Sequence, residues 1–149
     1  MLATAFTSRA RASVRVLFVL LDDSLALDWA GPAEALRIAN QFLVAGGQTA
    51  RFALEFVSPR RSATTSVGVV LDRLAPLPKD ISGPAWIVLL GQRGHTIDVS
   101  SRAAQEVLDW LGRLHFAPGQ LELVTICAGT LLAAHARVLA GRPATTHHH

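Results

Sequence analysis

The single cysteine of the chain, Cys127, lies where a reactive thiol could form. It follows an apolar run at residues 121–126 and precedes two small residues and a helical pattern at residues 130–139. Such a strand–turn–helix unit projects the side chain at the turn from the carboxyl end of a sheet, beside a helix N-terminus. Unpaired N–H groups and the helix dipole favour a thiolate there, so Cys127 is a candidate nucleophile. On the local pattern alone, a buried and inert cysteine is an equal alternative.

Two further residues, Asp28 and Gly91, are expected close to this cysteine. Asp28 follows the first apolar run, and Gly91 ends another. Because the carboxyl ends of parallel strands meet at one edge of a sheet, both would lie near Cys127. Asp28 could position the thiol or exchange a proton with a substrate, and a helix N-cap is its alternative role. The N–H groups of Gly91 and Ala128 could form an oxyanion hole, although Gly91 could also be an ordinary turn glycine.

Histidines near the predicted site could act as bases. His147 belongs to the terminal run ATTHHH and could deprotonate the thiol, although the three final histidines could also come from a purification tag. His95 lies in the loop after Gly91, where a solvated side chain is the simpler interpretation. Three consecutive histidines without a cluster of cysteines or carboxylates do not indicate a metal site, so neither a metal nor a cofactor is predicted.

An alternation of short apolar runs and helical patterns predicts the strands and helices that position the candidate site residues. Strands are predicted at residues 14–21, 52–57, 66–71, 86–90 and 121–126, and helices at residues 33–44, 101–114 and 130–139. The short strand at residues 66–71 could be part of a hairpin or an edge of the sheet. This order predicts an α/β fold with a mainly parallel sheet and helices on both of its faces. Residues 1–13 are small, polar and basic, which predicts a flexible extension, and residues 14–149 are long enough to form one domain with a sizeable core.

The composition argues against several classes of protein. Half of the 149 residues are hydrophobic and the mean hydropathy is positive, which is not typical of disordered chains. No apolar run reaches membrane-spanning length, and a single cysteine excludes an internal disulfide framework and fits a reducing cytoplasm. The net charge of +3 and the pI of about 10.4 would suit nucleic-acid binding, but the arginines are scattered. A solvated, arginine-rich surface is therefore the favoured interpretation.

Two motifs resemble the ThiJ/PfpI family, which is part of the class I glutamine amidotransferase-like superfamily. The run ICAG at residues 126–129, with ATTH at residues 144–147, resembles the nucleophile elbow of the family and its following Thr-His segment. The run DWAGPAE at residues 28–34 resembles the D-x-x-G-P-x-E signature of one branch. That branch holds the isocyanide hydratases and the N-terminal sensor domains of AraC-type transcription regulators.

The resemblance implies a flavodoxin-like α/β sandwich, usually dimeric, with a nucleophile elbow at Cys127. It matches Cys127 to the reactive cysteine of the family, Asp28 to the acid that hydrogen-bonds it, and His147 to the histidine of the Thr-His segment. Gly31, the glycine of the signature, is also expected at the binding site. The family continues past this segment with a further strand and a closing helix, which this chain is expected to lack.

Two positions depart from the family pattern. Gln92 stands where the family has the second glycine of a pair, which could narrow the pocket or alter the oxyanion loop. Ala128 stands where the hydratases carry a threonine, so a hydroxyl that could serve their chemistry is missing. Both departures weaken the prediction of a complete hydratase site.

The sequence is compatible with two functions. The first is a small-molecule-sensing domain of an AraC-type regulator, or a stand-alone relative, that would bind DNA only through a domain absent from this chain. The second is a cysteine-dependent hydratase or hydrolase, similar to the isocyanide hydratases or the deglycases, in which Cys127 attacks and Asp28 transfers a proton. A redox-sensing thiol overlaps both. In each case the protein is expected to be a cytoplasmic homodimer that does not bind the membrane.

Overall fold

The computed structural model of the protein describes residues 13–94 and 97–146. Its strands are β1 (Val14–Val19), β2 (Phe52–Val57), β3 (Ala63–Thr64), β4 (Val70–Leu71), β5 (Ala85–Leu89) and β6 (Leu121–Thr125). Its helices are α1 (Ala26–Ala45), α2 (Arg102–Gly112) and α3 (Gly129–His135). His95 and His147 lie outside the described residues, as does almost all of the predicted extension at residues 1–13.

Four of the strands form one parallel sheet in the order β2-β1-β5-β6, which confirms the predicted mainly parallel sheet. Val19, the last residue of β1, pairs with Val57 of β2 and with Leu89 of β5, and Leu89 pairs with Thr125 of β6. The four strands therefore end at the same level. The loops after β1, β5 and β6 consequently leave the sheet at one edge, where sites form in folds of this kind.

Helices cover both faces of this sheet, as predicted. On one face, α1 packs through Ala33 against a cluster that contains Phe18 and Val88. On the other face, the core cluster includes Val107 of α2 and Leu132 of α3. Because β1 lies in the middle of the sheet, almost all of its side chains are buried, which explains its continuous apolar run. None of the described helices combines the length and the hydrophobicity that crossing a membrane requires.

The first helix begins earlier than the sequence pattern predicts. α1 starts at Ala26 rather than near residue 33, and Leu25 at its N-cap position makes no side-chain capping bond. The alternative role of Asp28 as an N-cap is therefore wrong, since Asp28 lies within the first turn. Pro32 lies inside the helix, where its missing N–H leaves the Asp28 carbonyl without the usual helical partner.

The segment predicted as a strand at residues 66–71 is mostly a turn. β3 and β4 pair as a short antiparallel hairpin, and the Thr65 N–H donates to the Val69 carbonyl at 2.8 Å within its turn. α2 follows the prediction closely, because the Ser101 hydroxyl caps it by accepting from the Ala104 N–H at 3.2 Å. α3 is shorter than predicted and ends at His135.

Candidate functional site

The structure brings Asp28, Gly91 and Cys127 together at the carboxyl edge of the sheet. One carboxylate oxygen of Asp28, Oδ2, accepts a hydrogen bond from the Gly91 N–H at 3.0 Å. A Cβ built on Gly91 would lie 3.0 Å from that oxygen and 3.1 Å from the Cβ of Cys127. These distances leave no comfortable room for a side chain at position 91. Glycine at position 91 therefore allows the Asp28 carboxylate and Cys127 to approach the same stretch of backbone.

Cys127 occupies a sharp turn between β6 and α3. Its side chain is exposed, and its φ angle is +52°. This left-handed conformation costs a residue with a side chain about 1–2 kcal/mol. The Thr146 hydroxyl donates a hydrogen bond to the Cys127 carbonyl at 2.9 Å, so Thr146 lies against this turn. An exposed thiol on a strained backbone is a combination that occurs often at functional sites.

Gly129 fixes this turn against the neighbouring strand. A Cβ on Gly129 would overlap the Leu89 carbonyl at the end of β5. The Ile126 N–H donates to the same carbonyl at 2.9 Å. The start of α3 therefore packs backbone against backbone on β5, which requires glycine at this position.

Backbone hydrogen bonds hold the loop before Asp28 against the loop after β5. The Leu25 N–H donates to the Gly91 carbonyl at 2.9 Å, and the Arg93 N–H donates to the Asp23 carbonyl at 2.9 Å. The bond from Gly91 to the Asp28 carboxylate extends this pairing to a side chain. The position of the carboxylate is therefore determined by the contact between two loops.

The β3–β4 hairpin supports the same loop, a contribution that the sequence pattern did not reveal. The Ser66 N–H donates to the Ser24 carbonyl at 3.0 Å. The Ser66 hydroxyl accepts from the Ala26 N–H at 3.3 Å. This second bond satisfies one of the free N–H groups at the start of α1. The hairpin thus provides the cap that Leu25 cannot provide from its own side chain.

Gln92 has a structural role that its departure from the family pattern does not suggest. Its side chain is buried. The amide nitrogen Nε2 donates to the Asp22 carbonyl at 2.9 Å, and the oxygen Oε1 accepts from the Asp98 N–H at 3.0 Å. Both polar ends of the amide therefore join segments of this chain to one another.

The two N–H groups predicted to form an oxyanion hole differ in their hydrogen bonds. The Gly91 N–H is directed at the negative charge of Asp28. Ala128 is buried, and its N–H forms no hydrogen bond within residues 13–94 and 97–146. The two donors could therefore act together on a substrate only if Asp28 released its bond to Gly91.

The contacts described so far involve neither Gly31 nor the predicted histidines, whose places in the site stay predictions. Gly31 is exposed on α1, and a Cβ there would lie 3.9 Å from the side chain of Leu27. His95 and His147 lie outside the described residues. Within those residues, no three cysteine, histidine or carboxylate side chains are grouped as a metal site would require.

Several solved structures are similar to this one. An AraC family transcriptional regulator from Pseudomonas putida has a TM-score of 0.59 at 17% identity, over 87% of this chain and 64% of its own. A candidate transcriptional regulator from Vibrio parahaemolyticus has a TM-score of 0.63 at 20% identity, over 86% and 63%. A thiJ/pfpI family protein from Bacillus anthracis has a TM-score of 0.56 at 14% identity, over 83% and 55%. The chain spans less than two thirds of each, and no protein-family model or curated protein sequence matches it.

These similarities and the parallel sheet define the class of fold. The chain has a ThiJ/PfpI-like α/β fold, and its neighbours of this class are flavodoxin-like. The resemblance seen in the two sequence motifs is therefore confirmed for the fold. At these low identities the similarity does not extend to activity. Within this class, the chain is a domain in which an aspartate carboxylate bonds the glycine beside an exposed cysteine.

Proposed function

We propose that this chain is a small-molecule-sensing domain, either of an AraC-type transcription regulator or of a stand-alone relative. The observation that carries the proposal is the hydrogen bond from the Gly91 N–H to the Asp28 carboxylate beside Cys127. This bond organises a polar site at an exposed edge of the sheet, yet it occupies a donor that a developing oxyanion would need. Binding a ligand requires only the polar site. Turnover would also require a Gly91 N–H that is free to donate to the substrate.

The groups at this edge suit a small polar metabolite. The Asp28 carboxylate can accept a hydrogen bond, and the Ala128 N–H can donate one. The exposed Cys127 thiol can contact an electrophilic carbon or add to it reversibly. A metabolite with a donor and a carbonyl close together would satisfy all three groups.

The similar structures support a sensing role by analogy. AraC family regulators bind DNA, and in this proposal that step belongs to a domain outside this chain. The reading frame downstream of the chain tests this part, because a sensor of this type would be followed by a helix-turn-helix domain. A stop codon with no such domain in frame would argue for the stand-alone relative.

Thermal unfolding with small metabolites tests ligand binding directly. We expect at least one member of a panel of small amides, aldehydes and amino acids to raise the Tm, since a ligand at 100 times its Kd adds about 2.7 kcal/mol. Asp28→Asn should weaken that effect. Glu34→Gln is the matched control, because Glu34 is an exposed carboxylate on the same helix. Equal responses of the two variants would show that the ligand binds elsewhere.

A cysteine-dependent hydratase or hydrolase is the second candidate, and the strained, exposed Cys127 favours it. The thiol would add across the terminal carbon of an isocyanide, with Asp28 carrying the proton to that carbon. Water would then add to the thioimidate and expel the thiol, which releases a formamide. This sequence of steps consumes one water and regenerates Cys127.

Turnover of cyclohexyl isocyanide distinguishes the two candidates. For a sensing domain we expect proton NMR to show no more N-cyclohexylformamide with the wild-type protein than with Cys127→Ala. If the wild type formed the formamide and Cys127→Ala did not, the enzyme would replace the sensor as the assigned function.

An exposed apolar face of α1 supports the expected homodimer. Leu27 and Phe42 are 81% and 75% exposed, and Ile38 is 39% exposed. Together with Gly31 they recur at intervals that place them on one side of the helix. Two copies of this face, related by a two-fold axis, would remove the apolar side chains from water, and Gly31 would let the helices approach closely.

A further inference from the structure

A cleft at the edge of the sheet, distinct from the groups around Cys127, lies between α1, β2 and the hairpin. Its volume is about 500 Å³. It is lined by Trp29 of α1, Phe56 of β2, Val70 and Leu71 of β4, and Leu74 of the loop that follows. Sites for small molecules commonly have volumes of this size and an apolar lining. The sensing role proposed for the Asp28 edge makes no use of this cleft.

The rings of Trp29 and Phe56 form one wall of the cleft. The Trp29 and Phe56 rings meet edge to face, with centroids 5.9 Å apart and planes at 85°. Phe56 also stacks on Phe18, with centroids 5.3 Å apart and planes at 18°. Because Phe18 is fully buried in the central strand, Phe56 rests on the core of the domain. A flat ring entering the cleft would therefore meet Phe56, which the core holds in place.

The indole N–H of Trp29 is the polar group of this wall. The Nε1 atom is buried, and no acceptor for it lies within the described residues 13–94 and 97–146. A buried donor without an acceptor carries a free-energy cost, and buried tryptophans usually avoid it. An acceptor on the edge of a bound ligand would remove this cost after a small rotation of the indole ring.

The charged groups around the cleft are matched within the protein. Glu55 is held by Arg15 through two hydrogen bonds, at 2.6 and 2.9 Å. Asp72 lies 3.9 Å from the guanidinium of Arg61 and 4.0 Å from that of Arg73. Both carboxylates of the lining are therefore beside arginines of the protein, and the aliphatic Val70 is 61% exposed at the rim. Because the rest of the lining is apolar, burying an uncharged ligand there costs less free energy than burying an ionic one.

We propose that this cleft binds an uncharged, one- or two-ring aromatic molecule that carries a hydrogen-bond acceptor. The ring lies between the aromatic wall and the aliphatic side chains of the hairpin. The acceptor pairs with the indole N–H of Trp29.

The indole N–H signals of the three tryptophans test this proposal by two-dimensional NMR of the ¹⁵N-labelled chain. Trp29→Phe assigns the signal of Trp29, and Trp86 and Trp110 serve as internal controls. The Trp110 N–H already donates to the Pro78 carbonyl at 2.8 Å. We expect acetophenone to shift the Trp29 signal downfield in a saturable manner and to leave the other two in place. Shifts of equal size in all three signals, or no saturable shift of Trp29, would overturn the proposal.

A second ligand and two variants test whether acetophenone occupies this cleft. Ethylbenzene resembles acetophenone in size but lacks an acceptor, so we expect it to bind at least threefold more weakly, and equal affinity would exclude the role of the indole N–H. Val70→Phe fills the cleft, whereas Val67→Phe changes an equally exposed valine in the hairpin turn outside it. We expect acetophenone to bind at least tenfold more weakly to Val70→Phe than to Val67→Phe. Equal binding to these two variants would place the ligand elsewhere.

The same titration of Cys127→Ala keeps this proposal separate from the proposed function. The cleft does not include Cys127, so we expect unchanged acetophenone binding in that variant. Loss of binding there would show that the ligand occupies the cysteine edge and would contradict a separate site.

Discussion

At the scale of the residue, the backbone of Cys127 is what distinguishes this cysteine from an ordinary one. A residue with a side chain rarely adopts a φ of +52° unless its surroundings impose it. Here the surroundings are Gly129 packed on the Leu89 carbonyl and Thr146 bonded to the Cys127 carbonyl. The left-handed backbone of Cys127 therefore lowers the stability of the folded protein, and glycine at the same position would avoid this strain.

Comparison of Cys127→Gly with Cys127→Ala measures this cost. Both variants lack the thiol, but alanine keeps the left-handed strain and glycine relieves it. We expect Cys127→Gly to be more stable to urea by about 1 kcal/mol, because relief of the strain outweighs the greater unfolded-state entropy of glycine. Equal stabilities would mean that the turn is not strained.

At the scale of the element, the site depends on three loops that are joined at the end of a parallel sheet. The loop after β5 bonds the loop before α1, and the start of α3 lies directly on the end of β5. Any change that lifts α3 from β5 should therefore move Cys127 away from Asp28.

Substitution of glycine by alanine in two helices tests this packing. Gly129→Ala places a Cβ on the Leu89 carbonyl, so we expect a loss of about 2–4 kcal/mol in the free energy of unfolding, from the upper part of the usual range for overpacking to just above it. Gly112→Ala is the control, because a Cβ at the end of α2 meets no atom within 4 Å. It should leave stability unchanged or raise it by up to about 1 kcal/mol. Equal effects in urea unfolding would contradict the packing of α3 on β5.

The pair of Arg15 on β1 and Glu55 on β2 predicts a dependence of stability on pH. The hydrogen bond from the Arg15 guanidinium lowers the pKa of Glu55 below its ordinary value. Protonation is therefore harder in the folded than in the unfolded protein. The stability from this pair is present above the ordinary carboxyl pKa and is lost as pH falls through the lowered folded value.

Glu55→Gln tests this dependence in urea unfolding from pH 7 to pH 3. The two side chains are 29% and 32% exposed, so we expect the variant to lose at most about 1 kcal/mol at pH 7. The difference from the wild type should shrink toward pH 3. Asp80→Asn, which changes an exposed carboxylate before β5, provides the control. A constant difference across this pH range would refute the coupling to ionisation.

At the scale of the whole molecule, the exposed side of α1 is the surface through which we propose that two copies associate. Leu27, Ile38 and Phe42 form an apolar stripe, and soluble monomers rarely expose such stripes without a partner. The predicted dimer would use this stripe on both copies, at the outer face of the helix that carries Asp28.

Phe42→Ser tests the dimer by light scattering after size-exclusion chromatography. We expect the wild type at twice the mass of the chain and Phe42→Ser largely at the mass of one chain, because the anchor of the stripe is lost. Val67→Ser removes an exposed apolar side chain from the hairpin turn and should leave the dimer intact. A monomeric wild type would exclude the dimer, and a dimeric Phe42→Ser would exclude this face.

Much of the fold follows from local patterns in the sequence. β2 begins and ends as predicted, and β1, β5 and β6 differ by one or two residues at their ends. Buried parallel strands must be apolar along their whole length, and amphipathic helices must repeat their apolar positions, so both leave a signal within a few residues. The start of α1 leaves no such local signal, because it is stabilised by Ser66 of the hairpin rather than by a neighbouring residue.

The sequence by itself determined that a strand, a cysteine and a helix follow one another, and that Asp28 and Gly91 lie at the same edge. The tertiary structure decided how Asp28 and Gly91 meet: the Asp28 carboxylate accepts a hydrogen bond from the N–H of this glycine, 63 positions further along the chain. It also decided that Gln92 joins two loops, that Gly31 is exposed on α1, and that Trp29 lines a cleft. The spacing of apolar residues in the sequence indicates which face of a helix or strand is buried. A contact between residues that are distant in the sequence depends instead on how the helices and strands pack.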